Sequence, residues 1–98
     1  MSRLELSLDA QHDLIEIAAH ITSHSGSQKR GEAFLSGVCA TCETLALQPA
    51  MGELRTEIVT GVYRSFSVGS YVICFQPTPA GIVVARVLPG SRDHYSIP

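Results

Sequence analysis

Thr60-Gly61-Val62-Tyr63-Arg64-Ser65-Phe66-Ser67-Val68-Gly69-Ser70-Tyr71-Val72-Ile73-Cys74-Phe75 and, after a Pro/Gly break, Gly81-Ile82-Val83-Val84-Ala85-Arg86-Val87-Leu88-Pro89-Gly90-Ser91-Arg92-Asp93 carry the signal that decides the fold. Three β-rich runs lie here, each bounded by turn residues. Gly69-Ser70 has the Gly-first composition of a two-residue type II′ hairpin turn. Gln76-Pro77-Thr78-Pro79-Ala80-Gly81 separates the second run from the third, and its prolines cannot donate to a central ladder. The stretch predicts a three-stranded antiparallel meander whose middle strand is flanked on both sides.

Working outward toward the N-terminus, Gln48-Pro49 stops a helix that starts at Ser25 or Ser27. Phe34, Val38, Cys42 and Leu45 make its apolar stripe, widened by Leu35, Cys39 and Ala46. Gly31 and Gly37 each cost that helix roughly 1 kcal/mol relative to Ala, which is consistent with close approach of a neighbouring helix. An earlier helix ends near His24, before Ser25-Gly26-Ser27. Its apolar face is Leu14, Ile17, Ala18 and Ile21, with Asp13, Glu16, His20 and Ser23 facing elsewhere. Ser7 or Asp9 is its N-cap, and Asp13 and Glu16 suit the positive end of the helix dipole. Leu4, Leu6 and Leu8 alternate with polar residues, the period of a short strand near Arg3 to Ser7. Pro49 to Leu54 reads as a turn leading into a connector. The predicted architecture is a single α+β domain spanning residues 1–98, of order β-α-α-β-β-β, with a helical hairpin packed on a mainly antiparallel sheet.

Composition agrees. At 98 residues, 45% hydrophobic and 16% charged, the chain is of the size and type of one ordered domain. No apolar run reaches the roughly 18 residues of a membrane span, and Met1-Ser2-Arg3-Leu4-Glu5 lacks a secretory apolar region. The three cysteines, an odd count, fit reduced thiols. A cytoplasmic location is the expectation. Seven Lys/Arg against nine Asp/Glu give a net charge of −2, which argues against strong direct binding of nucleic acid through many phosphates.

With the Gly69-Ser70 turn in place, Val68 faces Tyr71, Phe66 faces Ile73 and Arg64 faces Phe75. Val62, Arg64, Phe66, Tyr71, Ile73 and Phe75 then share one sheet face, and Tyr63, Ser65, Ser67, Val72 and Cys74 the other. In the last strand Ile82, Val84, Arg86 and Leu88 alternate with Val83, Ala85 and Val87. A single helical hairpin covers one face, so the other is expected to be a partner surface.

Several of these segments together resemble the ParE branch of the ParE/RelE toxin superfamily. Asp13-Leu14-Ile15-Glu16-Ile17 is similar to the family's D-L-x-x-I, and Leu45 to Gly52 to its L-x-x-x-P-x-x-G. Arg64-Ser65-Phe66-Ser67-Val68-Gly69-Ser70-Tyr71-Val72-Ile73-Cys74-Phe75 is similar to R-S-x-x-V-G-x-Y-x-I-x-Y, and Arg86 to Asp93 to R-V-L-H-G-x-R-D. Pro89 stands where the family usually has His, and Phe75 where it has Tyr. The resemblance implies a RelE/ParE-like fold and a toxin held by a cognate antitoxin. For ParE-like members it implies DNA gyrase as target; RelE-like relatives instead cleave messenger RNA on the ribosome.

A metal-free ribonuclease needs a base, cations for the phosphate and an acid for the leaving oxygen. In that alternative Arg64 and Arg86 are the cations, Glu53 or Glu57 the base, and His94 or Tyr95 the acid; some RelE-like relatives end in a similar His/Tyr pair. Against it, Arg64 and Arg86 fall on non-neighbouring strands, about 10 Å apart, and Arg55 is the single cation between Pro49 and Gly61. His12, His20 and His24 lie on or near the first helix. His20 and His24, four residues apart, have metal-ligand spacing but no assignable third ligand. Cys39-Ala40-Thr41-Cys42 is a C-x-x-C placed inside a helix rather than at its N-terminus, so both thiols read as small buried hydrophobes.

The expectation is a toxin that poisons gyrase by binding, with no cofactor and no metal. The alternatives are the ribosome-dependent endonuclease and a degenerate module that binds an antitoxin without killing. The antitoxin is expected to lay a tail that orders on binding over the toxin as a helix or strand. Acidic residues of that tail would meet Arg64, Arg86 or Arg92.

Overall fold

The computed structural model describes residues 3–55 and 63–90, with the backbone alone at 53–55. In chain order the elements are β1 (Arg3–Leu6), α1 (Leu8–Ser25), α2 (Gln28–Leu47), a 3-10 turn (Pro49–Met51), β2 (Glu53–Arg55), β3 (Tyr63–Val68), β4 (Tyr71–Thr78) and β5 (Gly81–Pro89). They form a five-stranded sheet in the order β1-β5-β4-β3-β2. All pairings are antiparallel except β1 with β5, which is parallel.

The β3–β4 register is the one the sequence predicts, with Val68 opposite Tyr71, Phe66 opposite Ile73 and Arg64 opposite Phe75. Gly69 has φ +58°, and among the described residues no side-chain-bearing residue has positive φ. That is the II′ pattern, since I′ would also place Ser70 there. The second break is shorter than predicted. β4 runs on through Pro77, opposite Ile82, and the turn is Pro79-Ala80. Alternate residues of an antiparallel strand point their N–H away from a given neighbour, which is how a proline is accommodated in this ladder.

Two features differ from the sequence reading. The connector holds a further short strand, β2, whose Leu54 lies opposite Arg64; three residues are too few to show an alternating pattern. More important, β5 does not alternate throughout. Phe75 pairs with Val84 and Cys74 with Arg86, so Ala85 is an extra residue, a β-bulge. The bulge moves Val87 onto the face of Ile82 and Val84 and leaves Leu88 on the other.

The helical hairpin covers the face that holds Ile73, Phe75, Ile82, Val84 and Val87, all buried, against Leu14, Val38, Cys42, Leu45 and Ala46. Burying each such large aliphatic or aromatic side chain contributes about 1.5–3 kcal/mol. The opposite face is not the open surface expected of it. Val72, Cys74 and Leu88 form a second, smaller buried cluster with Tyr63 packed on it, and Ser65 is buried as well.

The helices begin and end where side chains satisfy their free backbone groups. Ser7 caps α1 by accepting from the Ala10 N–H at 3.0 Å, and the Gly26 N–H closes its far end on the Thr22 carbonyl at 2.9 Å. Ser27 caps α2 in the same way through Arg30. Gly31 lies under α1, where a Cβ would collide with the Thr22 hydroxyl and come within 3.0 Å of the Ala18 carbonyl. Gly37, by contrast, faces open space, so only one of the two helix glycines serves the crossing. Cys42 is buried, but Cys39, expected as its buried companion, is exposed. It lies on the flank of α2 turned away from the sheet.

Candidate interaction site

β1 ends at Leu6, opposite Val84, while its partner strand β5 runs on to Pro89. Beyond Val84 the open edge of β5 is completed by Ser7 and Asp13. The Ser7 N–H donates to the Val84 carbonyl at 3.0 Å, and the Ser7 hydroxyl donates to the Ala85 carbonyl at 2.8 Å. The Val87 N–H then donates to Asp13 Oδ2 at 2.9 Å. The same carboxylate takes two bonds from Arg86, Nε to Oδ2 at 2.7 Å and Nη2 to Oδ1 at 3.1 Å. Side-chain exposures of 21% for Arg86 and 13% for Asp13 put the pair well out of bulk water. The hydrogen bond that Arg86 donates to Asp13 pushes the Arg86 pKa up, against the opposing effect of burial.

Periodicity alone places Asp13 on the polar side of α1, as a dipole partner. It reaches the sheet because the β5 edge beyond Leu6 leaves a backbone N–H that must be satisfied. Helical periodicity contains no sign of that demand. The D-L-x-x-I and R-V-L segments are therefore joined in space, and the joint is structural.

Arg64 lies on the helix-covered face of β3. Its Nη1 donates to the Gly52 carbonyl at 2.9 Å, which fastens the 3-10 turn to the sheet. Gly52 is pressed on Phe75, where an added Cβ would strike the ring and come within 3.1 Å of the Arg64 Cβ. Arg64 and Arg86 are thus separated by β4 and held by different partners. Nothing among the described residues draws their guanidiniums onto one point. The side chain of Glu53, and Glu57, Arg92, His94 and Tyr95, lie outside the described residues.

The histidines and cysteines are also placed. His20 and His24 lie with ring centroids 3.9 Å apart on the exposed side of α1, and His24 Nδ1 is 3.1 Å from the His20 carbonyl. Among the described residues no group of three or more His, Cys, Asp or Glu is arranged to hold a metal ion. Burial, then the neighbouring Cys39 and Glu43, push the Cys42 thiol up to about 11, so it is a poor nucleophile at neutral pH.

Beside the Asp13–Arg86 pair a cleft opens between α1 and the sheet. It holds two adjoining pockets that share Glu16, Ile17 and Pro89: one is also lined by Asp13 and Arg86, and the other, 410 Å³, by His20 and Tyr71. Sequence reasoning missed Glu16 and Tyr71 as neighbours, because they meet only through the packing of α1 on β4 and β5. The one available signal was that each falls in a segment resembling the family, 13–17 for Glu16 and 64–75 for Tyr71.

No helix among the described residues is long and apolar enough to cross a membrane. No characterised protein matches the chain significantly. A family does match: residues 4–94 fit the ParE toxin of type II toxin–antitoxin systems, parDE, and with nearly the whole domain covered, the chain belongs to that family.

Proposed function

We propose that this toxin acts in the cytoplasm by binding DNA gyrase and trapping it on cleaved DNA, and that its cognate antitoxin neutralises it by covering the toxin surface. Membership of the ParE family supports a toxin with an antitoxin partner. The observation that carries the mode of action is the separate commitment of the two arginines. Arg86 is engaged by Asp13 and Arg64 by the Gly52 carbonyl. A phosphate-gripping nuclease would need both free and convergent. Binding without chemistry makes no such demand.

In this reading Arg64, Arg92 and the remaining donors of Arg86 meet acidic residues of the antitoxin tail, where charge-assisted bonds are about twice as strong as neutral ones. Induced expression is expected to arrest growth, raise an SOS response and leave gyrase–DNA cleavage complexes with messages intact. Purified toxin that leaves gyrase supercoiling untouched overturns the proposal. Discrete cuts within codons, mapped by primer extension on messages from induced cells, would replace it with ribosome-dependent cleavage.

A further inference from the structure

We infer that the cleft between α1 and the β4–β5 edge receives an arginine side chain of the cognate antitoxin. The inference rests on the toxin–antitoxin reading above and adds a contact of opposite sign to the one expected at Arg64. Ile17 and Pro89 supply apolar walls, with the Tyr71 ring beside them and Glu16 and His20 at the rim. Among the described residues Glu16 has no hydrogen bond or ion pair, and neither does the Tyr71 hydroxyl. Arg86, which lines the adjoining pocket with Glu16, is already bound to Asp13. A carboxylate and a phenol with no partner among the described residues therefore line a concave space that they share with Ile17, Pro89 and His20.

That combination selects a long side chain with an apolar stem and a cationic, multi-donor head. An acidic residue would meet Glu16 with the wrong sign, and an aliphatic one would leave the polar rim unsatisfied. A guanidinium offers two parallel donors to the Glu16 carboxylate, a further donor to the Tyr71 oxygen, and a flat face for the ring. A lysine offers a point charge without that fork.

The walls are fixed before anything binds. Asp13, one turn before Glu16, ties α1 to β5 through Val87 and Arg86. The Tyr71 ring is set edge-on to Phe34, with centroids 5.1 Å apart at 61°. A preformed receptor loses little freedom on binding, which favours an anchor contact.

Two measurements test this. In the first, the ¹⁵N-labelled toxin is titrated with N-acetyl-arginine amide, and with the uncharged citrulline analogue as control. Shifts are expected at the amides of Glu16, Ile17, His20 and Tyr71 with arginine only, and they are expected to disappear in Glu16→Gln. In the second, the antitoxin encoded beside the toxin is titrated into wild-type, Glu16→Gln and Tyr71→Phe toxin. Glu16→Gln is expected to weaken the complex at least about tenfold and Tyr71→Phe by less, while Glu43→Gln on α2 binds as wild type. Arginine that leaves those amides unmoved, or a Glu16→Gln toxin that binds antitoxin as tightly as wild type, overturns the inference. A neighbouring gene product that fails to bind even wild-type toxin counts against the partner proposed above, while the arginine titration still decides the cleft.

Discussion

The Asp13 carboxylate holds Arg86 through both oxygens and also accepts the backbone N–H of Val87, so one α1 side chain finishes a strand edge that β1 leaves open. Removing it strands a largely buried guanidinium and an unpaired amide. Asp13→Ala is expected to destabilise the domain by about 3 kcal/mol, read as a lower urea midpoint with unchanged slope. Asp13→Asn still accepts from Val87 and should lose less. A change within about 0.5 kcal/mol for Asp13→Ala would show the pair to be incidental.

The two helix glycines should respond with opposite signs. Gly37→Ala adds a methyl in open space and gains helix propensity, so it should stabilise by roughly 0.5–1 kcal/mol. Gly31→Ala gains the same propensity but drives a methyl into Thr22 and the Ala18 carbonyl. Overpacking costs about 1–3 kcal/mol, so the net effect should be a loss. Thermal melts of the two variants side by side decide it.

The thiols should divide by position. Cys39 is exposed while Cys42 and Cys74 are buried, so a maleimide should label one thiol rapidly in the native domain and all three after unfolding. Cys42 also sets an alkaline limit. Its folded pKa is raised to about 11 from 9.0, so above pH 9 the unfolded chain releases this proton before the native state does. The stability from keeping the thiol neutral is full below pH 9 and is lost as pH rises toward 11, by about 2–3 kcal/mol. Replacing Cys42 with Ala should remove that part of the alkaline loss of Tm, whatever it does to stability at neutral pH.

Arg64 and Arg86 should separate in their effects on the folded domain. Arg86→Ala leaves the Asp13 carboxylate largely buried without its cation, so it should lower Tm. Arg64→Ala removes one bond to the Gly52 carbonyl and should cost about 1 kcal/mol. In antitoxin titrations the Arg64→Ala toxin, with its circular dichroism spectrum intact, should bind more weakly. Equal affinity would place the acidic contacts elsewhere.

The meander was legible because Gly69-Ser70 sets a register through local backbone chemistry, and the apolar stripe of α2 was legible in Val38, Cys42, Leu45 and Ala46. Ala85 was not. Nothing in Ile82-Val83-Val84-Ala85-Arg86-Val87 departs from strand composition, and the bulge exists only relative to β4. Cys39 was misplaced because an i, i+3 pair straddles the edge of a helical stripe. Arg64 and Arg86 were recognisable as prominent cations, but their partners, Gly52 and Asp13, are set by packing between segments 12 and 73 residues apart.

The parallel pairing of β1 with β5 has a consequence for how the toxin comes into being in the cell. On the ribosome β1 must wait for β5, since Ser7 and Ala85 are separated by 78 residues. At the usual elongation rate of about 5–20 residues per second, that wait is roughly 4–16 s. During it the α1–α2 hairpin has its local contacts but no sheet beneath it. Leu14, Val38 and Leu45 have no strand to cover, and Asp13 has neither Arg86 nor Val87. The nascent chain therefore passes through a period in which its hydrophobic stripe is exposed and the cleft beside Glu16 has no floor.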